Sequence, residues 1–503
     1  MSEKRKISID PITRLEGHGR IELLLDEAGE LADAIFQIPE LRGFERFCVG
    51  RKGEDMPQIT ERICGVCPEA HHFASVKTLD ACYGTHPPAR ADKLRRLLYN
   101  AYIFSDHLLH FFYLGGPDFL VGPDAPPAQR NILGVIAKVG PELARQVIQH
   151  RSHGQHIIEV IGGRSIHPVT GIPGGQSKGL TADEQADITQ RTASCVQFAQ
   201  QSLQIFKDML LKADPYHGLA TEAVHAPPTY YMGLVTEDGD ADFYDGLVRV
   251  VAPDGSAYAE VRGRQLLELI EERSEPWTYV KIPFLKDVGW KGFIAGMDSG
   301  IYRVGPLARL NVCDQIGTPL AQSEFEEYLA FFGGSPVHAT FGYHWARLIE
   351  MLSAAERAHA LAQDPQLIEG PLRADLGEPG EGVGIIEAAR GTLIHHYNLD
   401  SNGLVEAVNL IVATTHNIAG ISLSIKDMAR SVIHQGEVNP EILNRIEMSF
   451  RTYDPCLACA THALPGQTPL LAVIRDHQGL ELTRFQRGGA QESCALSARR
   501  TGG

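Results

Sequence analysis

Two Cys-x-x-Cys pairs stand near opposite ends of the 503-residue sequence: Cys64/Cys67 and Cys456/Cys459. Two thiolates three positions apart can face one metal ion, and four make a ligand set suited to a soft metal. Almost 400 residues separate the pairs, so a shared site requires a fold that brings both ends of the chain together. A structural zinc site is the plain alternative, although zinc ribbons usually place their pairs a few tens of residues apart. A thioredoxin-like redox centre would need only one pair.

The composition narrows the class of protein. The formal net charge is −16, and no stripe of Lys and Arg is interleaved with aromatic residues, which argues against nucleic-acid binding. The N-terminus lacks the apolar run of a secretory signal, and no stretch of about 18 apolar residues predicts a membrane span. Nine cysteines in such a chain indicate metal or redox chemistry in a reducing compartment, and we therefore expect a cytoplasmic protein.

The hydrophobic periodicity predicts an α+β fold that is predominantly helical. Apolar residues at steps of three and four predict a core of long helices, and alternation around turn residues predicts hairpins and inserted strands. The expected helical segments are 91–114, 142–161, 182–213, 323–361 and 417–448, the last interrupted near Gly436. The expected hairpins are 20–37 and 391–412, with further strands at about 215–310.

Several separate motifs flank the cysteines or lie between them. They are Asp10–His18, Arg42–Glu45, Arg62–His71, Asp106–His110, Glu387–Gly391 and Asp454–His462. On these motifs, the chain resembles the large, catalytic subunit of nickel–iron hydrogenases over essentially its whole length. The resemblance implies the long-helix bundle of that subunit, a fold shared with the quinone-reducing subunit of respiratory complex I. That subunit lacks the paired cysteines.

The resemblance also implies which groups form the metal centre. All four cysteines would bind nickel, with Cys64 and Cys456 as terminal ligands and Cys67 and Cys459 bridging nickel to iron. The iron would also carry carbon monoxide and cyanide ligands. The other five cysteines have no motif around them and are expected to be buried or surface thiols.

Further residues gain a role only through the resemblance. From the sequence alone, Glu16 is typical of a solvated or capping residue, but the family position is a proton relay beside Cys456. Arg390 would lie over the open metal position, paired with Asp106. His71 would hydrogen-bond an iron ligand or support a cysteine, and Thr414 would act in the same way.

The resemblance places a second metal site and a processing point near the C-terminus. Glu45, His462 and the backbone carbonyl of Leu410 would bind a divalent cation, usually magnesium. An endopeptidase would cut after His462 once nickel chaperones have loaded the site. The chain would then consist of one catalytic domain, residues 1–462, with a β-rich insertion at about 215–310, and a removable maturation peptide, residues 463–503.

The expected activity is reversible heterolytic cleavage of dihydrogen to protons and electrons. No cysteines remain in an iron–sulfur cluster pattern, so the expected partners are further electron-transfer subunits and an iron–sulfur small subunit. The motifs are most similar to the cytoplasmic, multisubunit branch of the methyl-viologen-reducing or bidirectional type. A regulatory dihydrogen sensor and a structural zinc protein are the alternatives. Ala389, where many relatives have Pro, and His416, where many have Trp, are departures that leave the ligands intact.

Overall fold

The computed structural model describes residues 6–10, 12–126, 128–211 and 214–461, together with strands at 470–475 and 481–487. The helices are α1 Phe44–Cys48, α2 Met56–Thr60, α3 Pro68–Cys82, α4 Ala89–Leu109, α5 Pro117–Leu120, α6 Ile132–Val139, α7 Pro141–Gly162, α8 Ala182–Phe206, α9 Asp214–Thr221, α10 Gln265–Leu269, α11 Pro306–Val312, α12 Pro319–Phe332, α13 Gly342–Ala362, α14 Ala413–Val432, α15 Pro440–Arg451 and α16 Leu457–Ala460. The strands are β1 Lys6–Ile9, β2 Arg20–Leu25, β3 Leu31–Gln37, β4 Gly171–Ile172, β5 Gly175–Gln176, β6 Tyr230–Val235, β7 Leu247–Val251, β8 Ala257–Val261, β9 Ile270–Ser274, β10 Lys281–Leu285, β11 Tyr302–Arg303, β12 Glu381–Ala388, β13 Gly391–Leu399, β14 Val405–Ile411, β15 Leu470–Arg475 and β16 Glu481–Arg487.

Long helices form the centre of the molecule. Helix α13 packs against α4 and α8, and α4 also packs against α7. Almost every residue of α13 up to Ala355 is buried, as expected for a helix surrounded by others. The Thr181 hydroxyl accepts a hydrogen bond from the Glu184 N–H, and the Glu184 carboxylate accepts one from the Thr181 N–H. This capping box satisfies two backbone donors where α8 begins. The predicted helical core is confirmed, but the segment predicted as helical at 323–361 consists of two helices, α12 and α13, because Gly333 and Gly334 leave the helical conformation with φ of +82° and +115°.

Small antiparallel sheets surround the helices. The predicted N-terminal hairpin is β2–β3, and β1 adds a third strand to it. The predicted second hairpin is β13–β14, which turns at Asp400–Gly403, and β12 pairs with the other edge of β13. Helix α3 packs on β12 and β13. Between about 215 and 310, strands β6 to β11 form parts of a four-stranded and a two-stranded sheet.

An N-terminal segment, at Glu16 and Gly17, meets the C-terminal part of the catalytic region beside α16. The Leu457 N–H donates to the Glu16 carbonyl at 2.8 Å, and Gly17 lies directly against this helix. Gly17 has a φ of +86°, and a Cβ atom there would lie 2.7 Å from the Ala458 nitrogen. Only glycine fits this close approach without strain. Among the described residues, none of the helices has the length and apolar character needed to cross a membrane.

Candidate metal centre

The fold brings both Cys-x-x-Cys pairs into one buried group. The sulfur atoms of Cys64, Cys67, Cys456 and Cys459 all lie within 4.8 Å of one another. Sγ–Sγ distances are 3.2 Å from Cys64 to Cys456, 3.4 Å from Cys67 to Cys459 and 2.8 Å from Cys456 to Cys459. None of the four residues is more than 4% exposed. The group is therefore closed to bulk water.

Short elements aim the four sulfurs at one another. Cys67 and Cys456 stand immediately before the first turns of α3 and α16, where side chains project away from the helix. Arg42 joins the two segments, since its guanidinium donates to the carbonyls of Ile63 and Ala458. These carbonyls lie one residue before Cys64 and one residue before Cys459. One side chain thus fixes both halves of the group.

The electrostatics of the group favour a bound cation. Hydrogen bonds from neighbouring thiols, that of Cys456 above all, hold the pKa of Cys64 well below its usual value. Burial raises the pKa of Cys456 and of Cys459 well above the usual range. All four groups can therefore be thiolates at once only if positive charge lies among them, and soft transition metals supply it while matching sulfur donors. The residues present fit a sulfur-ligated nickel–iron centre.

Glu16 lies directly against this group. The Cys456 thiol donates to Glu16 Oε2 at 3.0 Å, and the Ala458 N–H donates to the same oxygen at 2.9 Å. Burial, followed by the nearby charge of Cys64, raises the pKa of the Glu16 carboxyl. A carboxyl group with a raised pKa in contact with a sulfur is suited to exchanging a proton with it.

A buried guanidinium lies near the sulfurs. Arg390 donates to Asp106 Oδ2 at 3.0 Å and Oδ1 at 3.1 Å, a bidentate pair. It also lies 3.1 Å from Asp454 Oδ2. Although burial opposes its charge, Asp106 and Asp454 raise the pKa of Arg390 well above its usual value. Sequence reasoning missed Asp454 as a site residue, although it stands two positions before Cys456 and begins the Asp454–His462 motif.

Thr414 and His71, which were predicted to support the metal centre, make different contacts. Thr414 Oγ1 accepts a hydrogen bond from the Cys456 N–H at 3.0 Å, so this side chain holds the backbone of a cysteine. His71 is buried on α3 with its Nδ1 3.2 Å from His395 Nε2. His395 contacts the Tyr397 hydroxyl in turn.

The second predicted cation site is partly described. Glu45 Oε1 accepts a hydrogen bond from the Leu410 N–H at 2.9 Å, so these two predicted residues are adjacent. Lys281 Nζ lies 3.8 Å from Glu45 Oε2 and 3.5 Å from Glu272 Oε2. His462, the third predicted ligand, lies outside the described residues. Carboxylate oxygens such as those of Glu45 suit a hard divalent cation, but the observed contact is with the Leu410 N–H and not with its carbonyl.

A small cavity lies beside the sulfur group. Its volume is about 80 Å³, and its lining includes Gly65 and Val66 from the first cysteine pair, Asp106 from α4 and Glu69 from α3. Burial raises the pKa of Glu69 to about 8. The remaining cysteines for which the structure gives side chains, Cys48, Cys82, Cys195 and Cys313, are buried free thiols, as expected. Cys494 lies outside the described residues.

A mainly helical protein with a buried four-thiolate group, a carboxyl in contact with one sulfur and a paired guanidinium nearby defines a metalloenzyme of redox type. Comparison with known proteins identifies the family. The family described as nickel-dependent hydrogenase matches residues 42–129 and 296–462, and one described as HoxL-like matches residues 6–41.

Relatives match along nearly the whole chain. An iron-sulfur subunit of the F420-non-reducing hydrogenase of Archaeoglobus profundus is 45% identical, over 94% of this chain and 98% of the relative. The beta subunit of the NAD-reducing hydrogenase HoxS of Cupriavidus necator is 37% identical, over 94% and 98%. A solved NAD⁺-reducing [NiFe]-hydrogenase in the H₂-reduced state superposes with a TM-score of 0.86 at 40% identity, covering 92% of this chain and 100% of that one. The chain therefore belongs to the nickel-dependent hydrogenase family, as the large, catalytic subunit of an enzyme that acts on dihydrogen.

Proposed function

We propose that this subunit cleaves dihydrogen heterolytically and reversibly, and that it delivers the electrons to a separate iron–sulfur small subunit. The observation that carries the proposal is the Glu16 carboxyl 3.0 Å from a sulfur of the buried four-cysteine group. This arrangement puts a proton acceptor next to metal ligands, as heterolytic cleavage requires.

The four cysteines would hold the metals. Cys64 and Cys456 are assigned as terminal nickel ligands, and Cys67 and Cys459 as bridges to an iron with carbon monoxide and cyanide ligands. When bound, this centre supplies electron-accepting metals at which dihydrogen is polarised. The sulfurs of the two assigned terminal ligands, Cys64 and Cys456, lie 3.2 Å apart, and those of the two assigned bridging ligands, Cys67 and Cys459, lie 3.4 Å apart. Each kind of ligand is thus drawn from both cysteine pairs, which supports the assignment.

Protein groups would carry the proton away. Cys456 Sγ takes it first and hands it to Glu16 Oε2, across the observed hydrogen bond. The Ala458 N–H steadies that oxygen and stabilises the carboxylate form between transfers. Thr414 supports this step by fixing the Cys456 backbone, and His71 is assigned a supporting role.

Arg390 would supply fixed positive charge at the place where dihydrogen reacts. Its two contacts with Asp106 leave the guanidinium little freedom to rotate. A preorganised charge in a buried site stabilises developing negative charge without reorganisation at the moment of reaction. We assign Asp106 to hold Arg390 in that orientation.

The C-terminal part of the proposal concerns assembly. Glu45, the Leu410 carbonyl and His462 would bind magnesium. Residues 463–503 would be a maturation peptide, removed by an endopeptidase after nickel chaperones have loaded the catalytic domain, residues 1–462. Contacts between Glu45 and Leu410, and between Arg42 and the Thr461 carbonyl, support a C-terminus anchored at this point.

Electron transfer needs partners. Within the described part of the chain, the four-cysteine group is the one cluster of cysteines that could hold a metal, and the nickel–iron centre would occupy it. We therefore assign the iron–sulfur clusters to other subunits. The relatives carry subunit names of multisubunit hydrogenases. A cytoplasmic location agrees with eight described cysteines that are all free thiols.

An infrared spectrum of the purified enzyme in the carbonyl–cyanide region tests the proposal, together with nickel and iron analysis. We expect about one nickel per chain and bands from diatomic iron ligands. A nickel-loaded sample without such bands would overturn the assignment, and zinc alone would indicate a structural site. A fast rate of dihydrogen uptake separates an enzyme from a regulatory sensor with the same ligands.

A further inference from the structure

A second buried arginine, Arg309, binds the backbone that immediately precedes Arg390. Its Nε and Nη2 atoms donate to the two carboxylate oxygens of Glu350 at 2.5 and 2.6 Å. Its Nη1 donates to Glu387 Oε2 at 2.7 Å. Arg309 is fully buried, and the side chains of Glu350 and Glu387 are 4% and 0% exposed. The positive charge of Arg309 is therefore balanced by two buried carboxylates.

Arg309 also binds the backbone that carries Arg390. Its Nη1 donates to the Ala388 carbonyl at 2.9 Å, and its Nη2 to the Ala389 carbonyl at 3.2 Å. Ala388 pairs with Gly391 across the β12–β13 hairpin, so Ala389 and Arg390 form its two-residue tip. A hairpin tip normally lies in water, which satisfies its carbonyls. Here Arg309 takes the place of that water.

The same turn of α4 supports both arginines. Asp106 binds the guanidinium of Arg390, and the next residue, His107, places its Nε2 2.8 Å from Glu350 Oε2. Glu350 in turn orients Arg309. The hairpin tip is therefore fixed from two sides, through the head group of Arg390 and through the carbonyls that precede it.

We propose that Arg309 is a positioning residue for the hydrogenase reaction, which holds the Ala388–Ala389 backbone and thereby aims the Arg390 guanidinium. The inference rests on the proposed role of Arg390. A planar guanidinium can bind two carboxylates and two carbonyls at once, whereas the ammonium of lysine is a point charge with three donors. Arg309→Lys would keep the charge and release the hairpin tip.

Single and double variants of the assembled enzyme test this. We expect R309K to load nickel normally and to lose about 10-fold to 100-fold in kcat, since small misplacements of catalytic groups cost that much. The KM for dihydrogen should change by less than about threefold. R309K/R390K should match R390K within about twofold, because a residue that acts through Arg390 has nothing further to lose. Amide hydrogen exchange of the peptide around 386–392 should accelerate in R309K.

Arg303 provides a matched control. It is also fully buried and binds backbone carbonyls, but those of Pro227 and His338, outside residues 386–392. R303K should lower the melting temperature without faster exchange at 386–392, and its effect on kcat should multiply with that of R390K. Losses in R309K and R390K that multiply, or full kcat in R309K, would overturn the inference. Full activity in R390K would refute the role of Arg390 instead.

If R309K does not assemble, a milder variant tests the same inference. The Thr392 hydroxyl donates to Glu387 Oε1 at 2.7 Å, so Thr392→Val loosens the carboxylate that Arg309 binds. We expect a loss in kcat of a few-fold, absent when Arg390 is already Lys. A loss of the same size in both backgrounds would show that Arg309 and its partners support the fold alone.

Discussion

Replacing Glu16 with Gln tests the proposed proton route directly. The introduced side-chain amide has the shape of the carboxyl and can still accept the Ala458 N–H, which lies 2.9 Å from the carboxyl oxygen. It cannot take a proton from Cys456, whose sulfur lies 3.0 Å away. A positioned acid–base group contributes about 10²-fold to 10⁴-fold, or about 3–5 kcal/mol of barrier. We expect exchange between deuterium gas and solvent protons to slow by that factor.

Two further variants make the result specific. Glu16→Asp keeps the acid but shortens its reach by about 1.5 Å, close to one carbon–carbon bond, so we expect an intermediate rate. Glu69→Gln is the matched control, because Glu69, like Glu16, is a buried carboxyl with a raised pKa, to about 8 for Glu69, but it lines the small cavity. Wild-type exchange in a nickel-loaded E16Q enzyme, or equal slowing in E69Q, would refute the reasoning. Mass spectrometry of the gas phase and nickel analysis supply both measurements.

Three other outcomes are expected. Cys456→Ser should abolish nickel retention and leave residues 463–503 attached, and the intact mass and nickel content of the purified chain check this; normal processing would disprove the ligand assignment. Glu45→Gln should lower the magnesium content and the melting temperature but keep the fold, because the contact with Leu410 survives. Burial, with the charge of Arg303, lowers the pKa of His338 to about 4. Between about pH 6.5 and 4, His338 is therefore protonated in the unfolded chain but neutral in the folded chain. Stability should fall from pH 6.5 to 4, less steeply in His338→Gln, and parallel melting curves would contradict this.

Most of the helical core and both hairpins could be predicted because their patterns are local. The period of the apolar residues in α4, α7 and α8 reports the buried face of each helix. The third strand of the N-terminal sheet, β1, is short, and nothing in four residues distinguishes a strand from an extended tail. These four residues form a strand because they pair with β2, and that pairing exists only in the folded chain.

The metal ligands were predictable for a different reason, since cysteine pairs show their chemistry in the sequence. Asp454 and Arg309 were not. An aspartate before a proline favours a turn, and an arginine in a short helix is usually exposed. Their importance comes from partners more than 60 residues away, Arg390 and Glu387. The roles of these two charged residues depend on the side chains that contact them in the folded protein. Spacing along the sequence does not reveal those contacts.

Glu16 shows how one residue serves both structure and chemistry. Its backbone carbonyl accepts from the Leu457 N–H, and its side chain accepts from the Ala458 N–H and the Cys456 thiol. The first two contacts join the chain ends around the metal centre, and the third faces the reacting sulfur. Since a glutamine at this position keeps the first two and loses only the function of the third, E16Q separates assembly from proton transfer. The N-terminal motif is thus tied to the second cysteine pair by geometry, which explains why one site needs both ends of the chain.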